Sequence, residues 1–415
     1  MLIIETEVLK SVKHISLKKN IGGVILGIYL DNASTTKIDP AVLDSMMPYL
    51  NEEYGNAGSI HTMGRASANA VRMARYQVSN LMNCDLEHII FTSGGSESNS
   101  AVFKGVYRAL LENNKRHLIV SEIEHESVLK SVEYLCKLGF YVTYIKPDSN
   151  GCITPTDIES AIQSDTGMVS VMCVNNETGV ENDICSIGEI CRKKSVLFHT
   201  DCVQAAGHVA IEPDRFNADF ISISSHKIHG PKGVGALYMR KRNFESLICG
   251  GADQEYGLRG GTENVPGIVG FGTACEIALN DFEDCAVVHV DDMKHEFWSS
   301  LLVEMKENNY NTYIQINGNP SKSIGKVLNI RISGIDSETL ILMLNSKGIF
   351  ISAGSACKSH ESSPSRVLTS MGLSEDEARS SIRISFSKFN TEDEVTRAAR
   401  ELALCVKELR RLAYS

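Results

Sequence analysis

Three short segments carry side chains able to act together on a small molecule. The first, Phe91-Thr92-Ser93-Gly94-Gly95-Ser96-Glu97, stands between an apolar run and a helix-like stretch. Small residues there let backbone N–H groups approach an anion, and a helix N-terminus adds favourable partial charge. Taken alone it reads equally well as a plain strand-to-helix turn. It is neither a Walker loop nor a G-x-G-x-x-G fingerprint, so it lends little support to nucleotide binding. The second, Phe198-His199-Thr200-Asp201-Cys202-Val203-Gln204, puts an aspartate just past an apolar strand. Asp201 can hold a protonated ring nitrogen by a charge-assisted bond, or act as an ordinary helix cap. The third, Ser222-Ile223-Ser224-Ser225-His226-Lys227-Ile228-His229-Gly230-Pro231-Lys232-Gly233, sets a lysine directly after a buried strand. A lone lysine is usually a solvated surface group. Desolvation and nearby cations lower a lysine pKa, however, and a neutral amine forms a Schiff base with an aldehyde.

The surrounding pattern places all three at one kind of location. His88–Phe91, His117–Ser121, Phe140–Ile145, Met168–Val174, Val196–His199, Phe220–Ser224 and Gly235–Met239 read as strands. Between them Val71, Ala74, Val78, Leu81 and Met82 recur at helical spacing, as do residues of Ile184–Lys194. Such alternation predicts an α/β fold with a large, mostly parallel sheet covered on both faces. Ligands then bind beyond the carboxyl ends of the strands. After about residue 283 the pattern changes to a long amphipathic helix through Met293–Lys306, with shorter strands at Val327–Ile332 and Ile382–Phe386. Thr391-x-x-Glu394 is a capping-box signature opening a last helix. The expected division is an extension over 1–28 and a large domain over 39–282. A smaller α+β domain joins 29–38 to 283–415. In this chain order, a phosphate cradle, a ring-nitrogen aspartate and a Schiff-base lysine are what pyridoxal phosphate requires.

Composition narrows the rest. The chain has 415 residues, 43 % hydrophobic and 22 % charged, which is ordinary globular make-up. Lys plus Arg number 41 against 51 Asp plus Glu, a formal charge of −10 that argues against a dedicated nucleic-acid binder. No apolar run approaches the roughly 18 residues a membrane span needs; Ile21–Leu30 and Gly267–Leu279 are too short. The twelve cysteines contain no C-x-x-C, so no metal site is expected and free thiols in a reducing, cytoplasmic setting are the default. Residues 1–28 carry Lys10, Lys13, Lys18 and Lys19 after Glu5 and Glu7 and read as a flexible or locally docked extension.

Tyr29-Leu30-Asp31-Asn32-Ala33-Ser34-Thr35-Thr36, TSGGSESN, EHESV, VNNETG, HTDCVQAAG, SSHKIHGPKGVGALY and GGTENVPGIVGFG occur in order from Tyr29 onward. As an ordered set they resemble the cysteine desulfurases of the NifS/IscS type. The resemblance implies the aspartate-aminotransferase fold (pyridoxal-phosphate fold type I), pyridoxal 5'-phosphate as cofactor and a homodimer. By motif it makes Lys227 the Schiff-base lysine, stacks His125 on the ring and pairs Asp201 with the ring nitrogen. Asn176 and Gln204 would bond substrate or the ring oxygen. Gly95, Ser96, Ser224 and His226 would hold the phosphate, and Thr262 would reach the phosphate of the other subunit.

One cysteine stands out on the same ground. Ser352-Ala353-Gly354-Ser355-Ala356-Cys357-Lys358-Ser359 resembles the family's nucleophile segment, and its small residues suit an accessible loop more than a core. Lys358 beside Cys357 modestly favours the thiolate. Arg383 matches the family arginine that clamps a substrate carboxylate, a task suited to a guanidinium fork. The implied reaction turns L-cysteine into L-alanine, leaves a persulfide on Cys357 and passes that sulfur to an acceptor. Acceptors in view are an iron–sulfur scaffold or a tRNA-thiolation protein. Selenocysteine lyase shares the machinery and is the alternative. A desulfurase dedicated to DNA phosphorothioation is a related possibility. Three departures from the family pattern stand out: Ala57 where proline is common, Ser96 where threonine is common, and a longer Cys249–Glu255 segment.

Overall fold

The computed structural model describes residues 27–242, 245, 253–284, 287–307, 313–353 and 364–413. The chain opens with β1 (Ile28–Tyr29), α1 (Pro40–Asn51) and α2 (Thr62–Leu81). An alternating stretch follows: β2 (Ile89–Thr92), α3 (Gly95–Glu112), β3 (His117–Ser121), α4 (Glu126–Lys137), β4 (Tyr141–Ile145), α5 (Pro155–Ala161), β5 (Thr166–Ser170), α6 (Ile184–Lys194) and β6 (Leu197–Asp201). Next come β7 (Phe220–Ser224), β8 (Gly235–Met239), α7 (Val265–Glu283) and α8 (Val287–Glu307). The remainder is β9 (Ile314–Ile316), β10 (Val327–Ile332), α9 (Ser337–Ser346), β11 (Ile349–Phe350), α10 (Arg366–Ser370), α11 (Glu375–Arg379), β12 (Ser381–Ser385) and α12 (Glu392–Ala413).

Seven strands form one sheet in the order β2-β8-β7-β6-β5-β3-β4. Only β8 runs against the others, pairing antiparallel with both β2 and β7. The α/β class expected from the alternation is therefore what the structure shows, with one reversed strand. Side chains alternate between two buried faces. Ile89 and Phe91 join a core with α2, α6 and α7, whereas Ile90, Leu118 and Val120 join a second core with α3 and α4. Strands covered on both sides read as continuous apolar runs, which is why their boundaries were legible.

One boundary moved. The run Met168–Val174 stays buried throughout, but the strand ends at Ser170 and begins at Thr166. Burial continues past Ser170 because Val171–Val174 still run beside β6, the Val171 N–H donating to the His199 carbonyl at 3.2 Å and the Cys173 N–H to the Asp201 carbonyl at 2.9 Å, and Met172 reaches the central cavity.

A third core gathers Ile28 and Leu30 with residues of α8, β10, β12 and α12. There β12, β10 and β9 form an antiparallel sheet, and β1 pairs parallel with β11. Val367, Leu368, Met371 and Ala378 of the α10–α11 region pack instead into the first core. The capping box at α12 is present: the Glu394 N–H donates to Thr391 Oγ1 and the Thr391 N–H to Glu394 Oε2, both at 3.3 Å.

Candidate functional site

A cavity of about 530 Å³ opens at the carboxyl ends of β2, β3, β6 and β7, and all three chemistry-bearing segments line it. At the end of β2 the chain turns through Gly94, whose φ of 147° is a conformation that side chains avoid. A Cβ on Gly95 would lie 2.7 Å from Val203, so only glycine lets α3 start this close to the β6 exit. Gly95 and Ser96 thus present their N–H groups at the helix start, facing the cavity.

β6 carries Asp201 to the floor, 3 % exposed. Its Oδ1 accepts from the Val203 N–H at 2.9 Å and its Oδ2 from Asn99 Nδ2 at 2.6 Å. Asn99 also donates to Ser127 Oγ at 3.0 Å, and the Ser127 N–H donates to His125 Nδ1 at 3.1 Å. The carboxylate, the amide and the imidazole are therefore fixed relative to one another. His125 caps α4 and lines the cavity.

β7 ends in a single 3-10 turn, Ser225–Lys227. From it Lys227 Nζ enters the cavity and donates to the carbonyls of Ala33 at 2.6 Å and Ser34 at 2.8 Å. His226 sits against Thr35 Oγ1 at 3.1 Å. Burial, then the charges of Lys227, Lys326 and Lys232, push its pKa down to about 4, so it is neutral.

Arg383 on β12 is 2 % exposed. Its Nη1 donates to the Asn176 carbonyl at 2.8 Å, and its Nη2 to Asp31 Oδ1 at 2.9 Å and Ser34 Oγ at 2.7 Å. Gln204 Nε2 donates to the Ala33 carbonyl at 2.8 Å. The segment Asp31–Thr35 thus forms a wall held by residues from three distant parts of the chain.

Of the residues singled out in the sequence, Gly95, Ser96, His125, Asn176, Asp201, Gln204, Ser224, His226, Lys227 and Arg383 all line this cavity. Thr262 does not; it is exposed in the loop before α7. Cys357 and its neighbour Lys358 lie outside the described residues, as do residues 1–26 of the extension. Ala353 and Pro364 flank the Cys357 segment, and Val367 just beyond it lines the cavity. No cysteine among the described residues lines the cavity. Burial pushes the thiols of Cys84 and Cys191 up to about 12, which makes them poor nucleophiles.

Sequence reasoning missed several groups. Asn99 lay inside TSGGSESN, three residues after Ser96, and that helical spacing was the available signal. Glu124, beside His125, is 4 % exposed; its Oε1 accepts from the Met172 N–H at 2.6 Å and from Ser121 Oγ. Burial first, then the Asp201 charge, push its carboxyl up to about 8. Arg366 and Glu177 line the cavity too, and Ser365 Oγ donates to Glu177 Oε2 at 2.5 Å. Glu124 stands in EHESV beside His125 and Glu177 in VNNETG beside Asn176, and that adjacency was the available signal; the local sequence of Arg366 offers none.

Among the described residues six buried polar atoms of side chains lining the cavity have no partner: Asn99 Oδ1, Glu124 Oε2, Gln204 Oε1, Ser224 Oγ, Arg366 Nη2 and Arg383 Nε. Protein interiors leave few such groups unpaired. A phosphorylated, hydroxylated pyridine aldehyde offers partners to several of these: phosphate oxygens to a hydroxyl and N–H groups, a ring hydroxyl to an amide oxygen. With Lys227 and Asp201 placed as they are, the residues present fit pyridoxal phosphate.

Comparison with known proteins agrees. Residues 28–398 match the family described as Aminotransferase class-V. A protein named Cysteine desulfurase IscS from Methanosarcina thermophila is 38 % identical over 387 residues, covering 93 % of each chain. A solved structure titled NifS-like protein superposes with a TM-score of 0.84 at 34 % identity, covering 93 % of this chain and all of that one. Another, titled SspA in complex with cysteine, gives 0.74 at 34 % identity, covering 88 % of this chain and 99 % of that one.

Proposed function

This chain belongs to the class-V aminotransferase family, and we propose that it is a pyridoxal-phosphate-dependent cysteine desulfurase that takes sulfur from L-cysteine and releases L-alanine. Relatives of that name, matching nearly the whole chain, support the activity, and members of the family use the cofactor. The observation that carries the reading is Lys227 Nζ inside a cavity that also holds Asp201 and six unpartnered buried polar atoms of the described residues.

When bound, pyridoxal phosphate supplies an aldehyde that captures an amino group and a ring that takes up an electron pair from the substrate α-carbon. Lys227 holds the cofactor and afterwards moves the proton at the substrate α-carbon. Asp201 keeps a proton on the ring nitrogen, and Asn99 keeps Asp201 in place. His125 offers its ring face. Gly95, Ser96, Ser224 and His226 bind phosphate, with Thr262 contributed to a second copy of the chain. Asn176 and Gln204 orient substrate or the ring oxygen. Arg383, already countered by Asp31, keeps an unpartnered Nε–H for the substrate carboxylate. The Cys357 thiolate then bonds to the substrate sulfur as the carbon–sulfur bond breaks. The carbon gains a proton and the sulfur stays on Cys357 as a persulfide.

The sulfur passes to an acceptor protein, an iron–sulfur scaffold or a tRNA-thiolation protein, in a reducing, cytoplasmic setting. A second copy of the chain covers an apolar face on α1, α2 and their connection, where Met47, Leu50, Tyr54, Ile60, Met73 and Tyr76 are each 47–87 % exposed. Sedimentation of the holoenzyme as a monomer would remove that part of the reading. The activity is tested by incubating holoenzyme with L-cysteine, measuring alanine, and locating added sulfur by mass spectrometry. Alanine with one extra sulfur atom on Cys357, both lost in Cys357→Ala, is the expected result. No alanine refutes the function, and sulfur on another cysteine refutes the nucleophile.

A further inference from the structure

Behind the cavity lies a buried lysine that the proposed reaction does not use. Lys326, just before β10, is 2 % exposed, and its Nζ donates to the main-chain carbonyl of Lys227 at 2.7 Å. That carbonyl ends the Ser225–Lys227 turn. The last carbonyls of a helical turn lack partners within it. Two residues on, His229 takes a φ of 65°, so the chain doubles back and leaves the Lys227 carbonyl facing the interior.

The surroundings do not neutralise the amine. A small cavity of about 50 Å³ beside it is lined by His208, His229, Asp281 and Lys388, among others. Lys388 Nζ already meets Asp281 at 2.8 Å and Asp39 at 3.0 Å. Burial first keeps His208 and His229 neutral, the latter pushed down to about 4. Burial first, then the like charges of Lys227 and Arg383 on the other side, push Lys326 down to about 7. Among the described residues no carboxylate forms an ion pair with it. An apolar side chain of similar size would fill this position at lower cost. Stability is therefore not what the lysine contributes.

We propose that Lys326 is a positioning residue for Lys227: it holds the carbonyl that ends the Ser225–Lys227 turn and so fixes the direction in which the Lys227 side chain enters the cavity. The inference rests on the reading of Lys227 as the residue that bears the cofactor. With the carbonyl anchored, Lys227 Nζ comes out at the carbonyls of Ala33 and Ser34. Without the anchor the peptide after Lys227 keeps only the Ile228 N–H bond to the Ser225 carbonyl at 3.0 Å, and the direction of the amine loosens.

The test removes the cofactor from the protein, adds pyridoxal phosphate back, and follows the growth of visible absorbance as the lysine captures it. Lys326→Met should slow that growth at least about tenfold, since small misplacement of a reacting group costs rate steeply, while its melting temperature holds or rises. Lys326→Arg, whose larger head the adjoining cavity admits, should recover to within about threefold of the wild type. Should Lys326→Met not fold, Lys326→Gln replaces it; its amide is one bond short of the carbonyl, and the same slowing is expected. An unchanged rate in the Met or Gln variant overturns the proposal, as does an Arg variant as slow as they are. A wild-type protein that develops no visible band overturns the reading of Lys227 itself, and this inference with it.

Discussion

Replacing Glu124 by glutamine should flatten the pH dependence of stability between about pH 4.5 and pH 8. Glu124 is enclosed, with both hydrogen bonds arriving on Oε1 and none on Oε2. Burial, followed by the charge on Asp201, raises its carboxyl from the ordinary 4.5 to about 8, against the opposing pull of Ser121, the Met172 N–H and Arg366. A carboxyl raised in the folded state contributes stability that is full below its unfolded pKa and is lost as pH rises through its folded one. A gap of about 3.5 units at about 1.36 kcal/mol each gives a loss of about 4–5 kcal/mol across that window. Glutamine keeps the shape of the neutral acid and cannot ionise. Urea unfolding midpoints from pH 5 to 9, compared between wild type and Glu124→Gln, isolate this group because the other titrations cancel. The variant should gain on the wild type steadily with pH and exceed it at pH 9. Two profiles that stay parallel within about 1 kcal/mol would refute the reasoning.

Two further perturbations address the site directly. Asn99→Ala removes the donor 2.6 Å from Asp201 Oδ2, a bond to a charged group worth about 1.5–3 kcal/mol; alanine formation should fall about tenfold or more, read as kcat/KM for L-cysteine. Gly235→Ala would set a Cβ 2.7 Å from Gly94 Cα and 2.8 Å from the Ile223 carbonyl. It should displace the turn before α3, and equilibrium dialysis should find pyridoxal phosphate bound at least about tenfold more weakly.

The elements that build the sheet were legible because burial on both faces writes itself as short apolar runs, as in His117–Ser121, Phe220–Ser224 and Gly235–Met239. Their order and the single reversed strand were not, since pairing joins residues far apart in the chain. The same distinction governs the site. Lys227, Asp201 and the Gly94–Ser96 turn follow directly from strand ends, so local pattern located them. Asn99, Glu124 and Lys326 act through partners 102, 48 and 99 residues away. Asn99 and Glu124 stand inside the motifs TSGGSESN and EHESV, yet which partner each meets is not written in its neighbours, and for Lys326 nothing local signals the contact. The motif leads one to expect a carboxylate clamp at Arg383, but its bonds to Asp31 and Ser34 depend on β1 and β12 being brought together.

That meeting of Arg383 with Asp31, 352 positions apart, sets a schedule for the making of this protein. The wall over Lys227 comes from the early segment Asp31–Thr35, whereas the last of the side chains that fasten it arrives on β12. At about 5–20 residues per second a ribosome needs roughly 20–70 s to go from one to the other. Throughout that interval the large sheet can assemble while Asp31 and Ser34 wait for their guanidinium. A nascent chain thus has a cavity wall held from one side only, by Gln204 and Lys227, and the fastening of Asp31 and Ser34 by Arg383 becomes one of the last events of its synthesis.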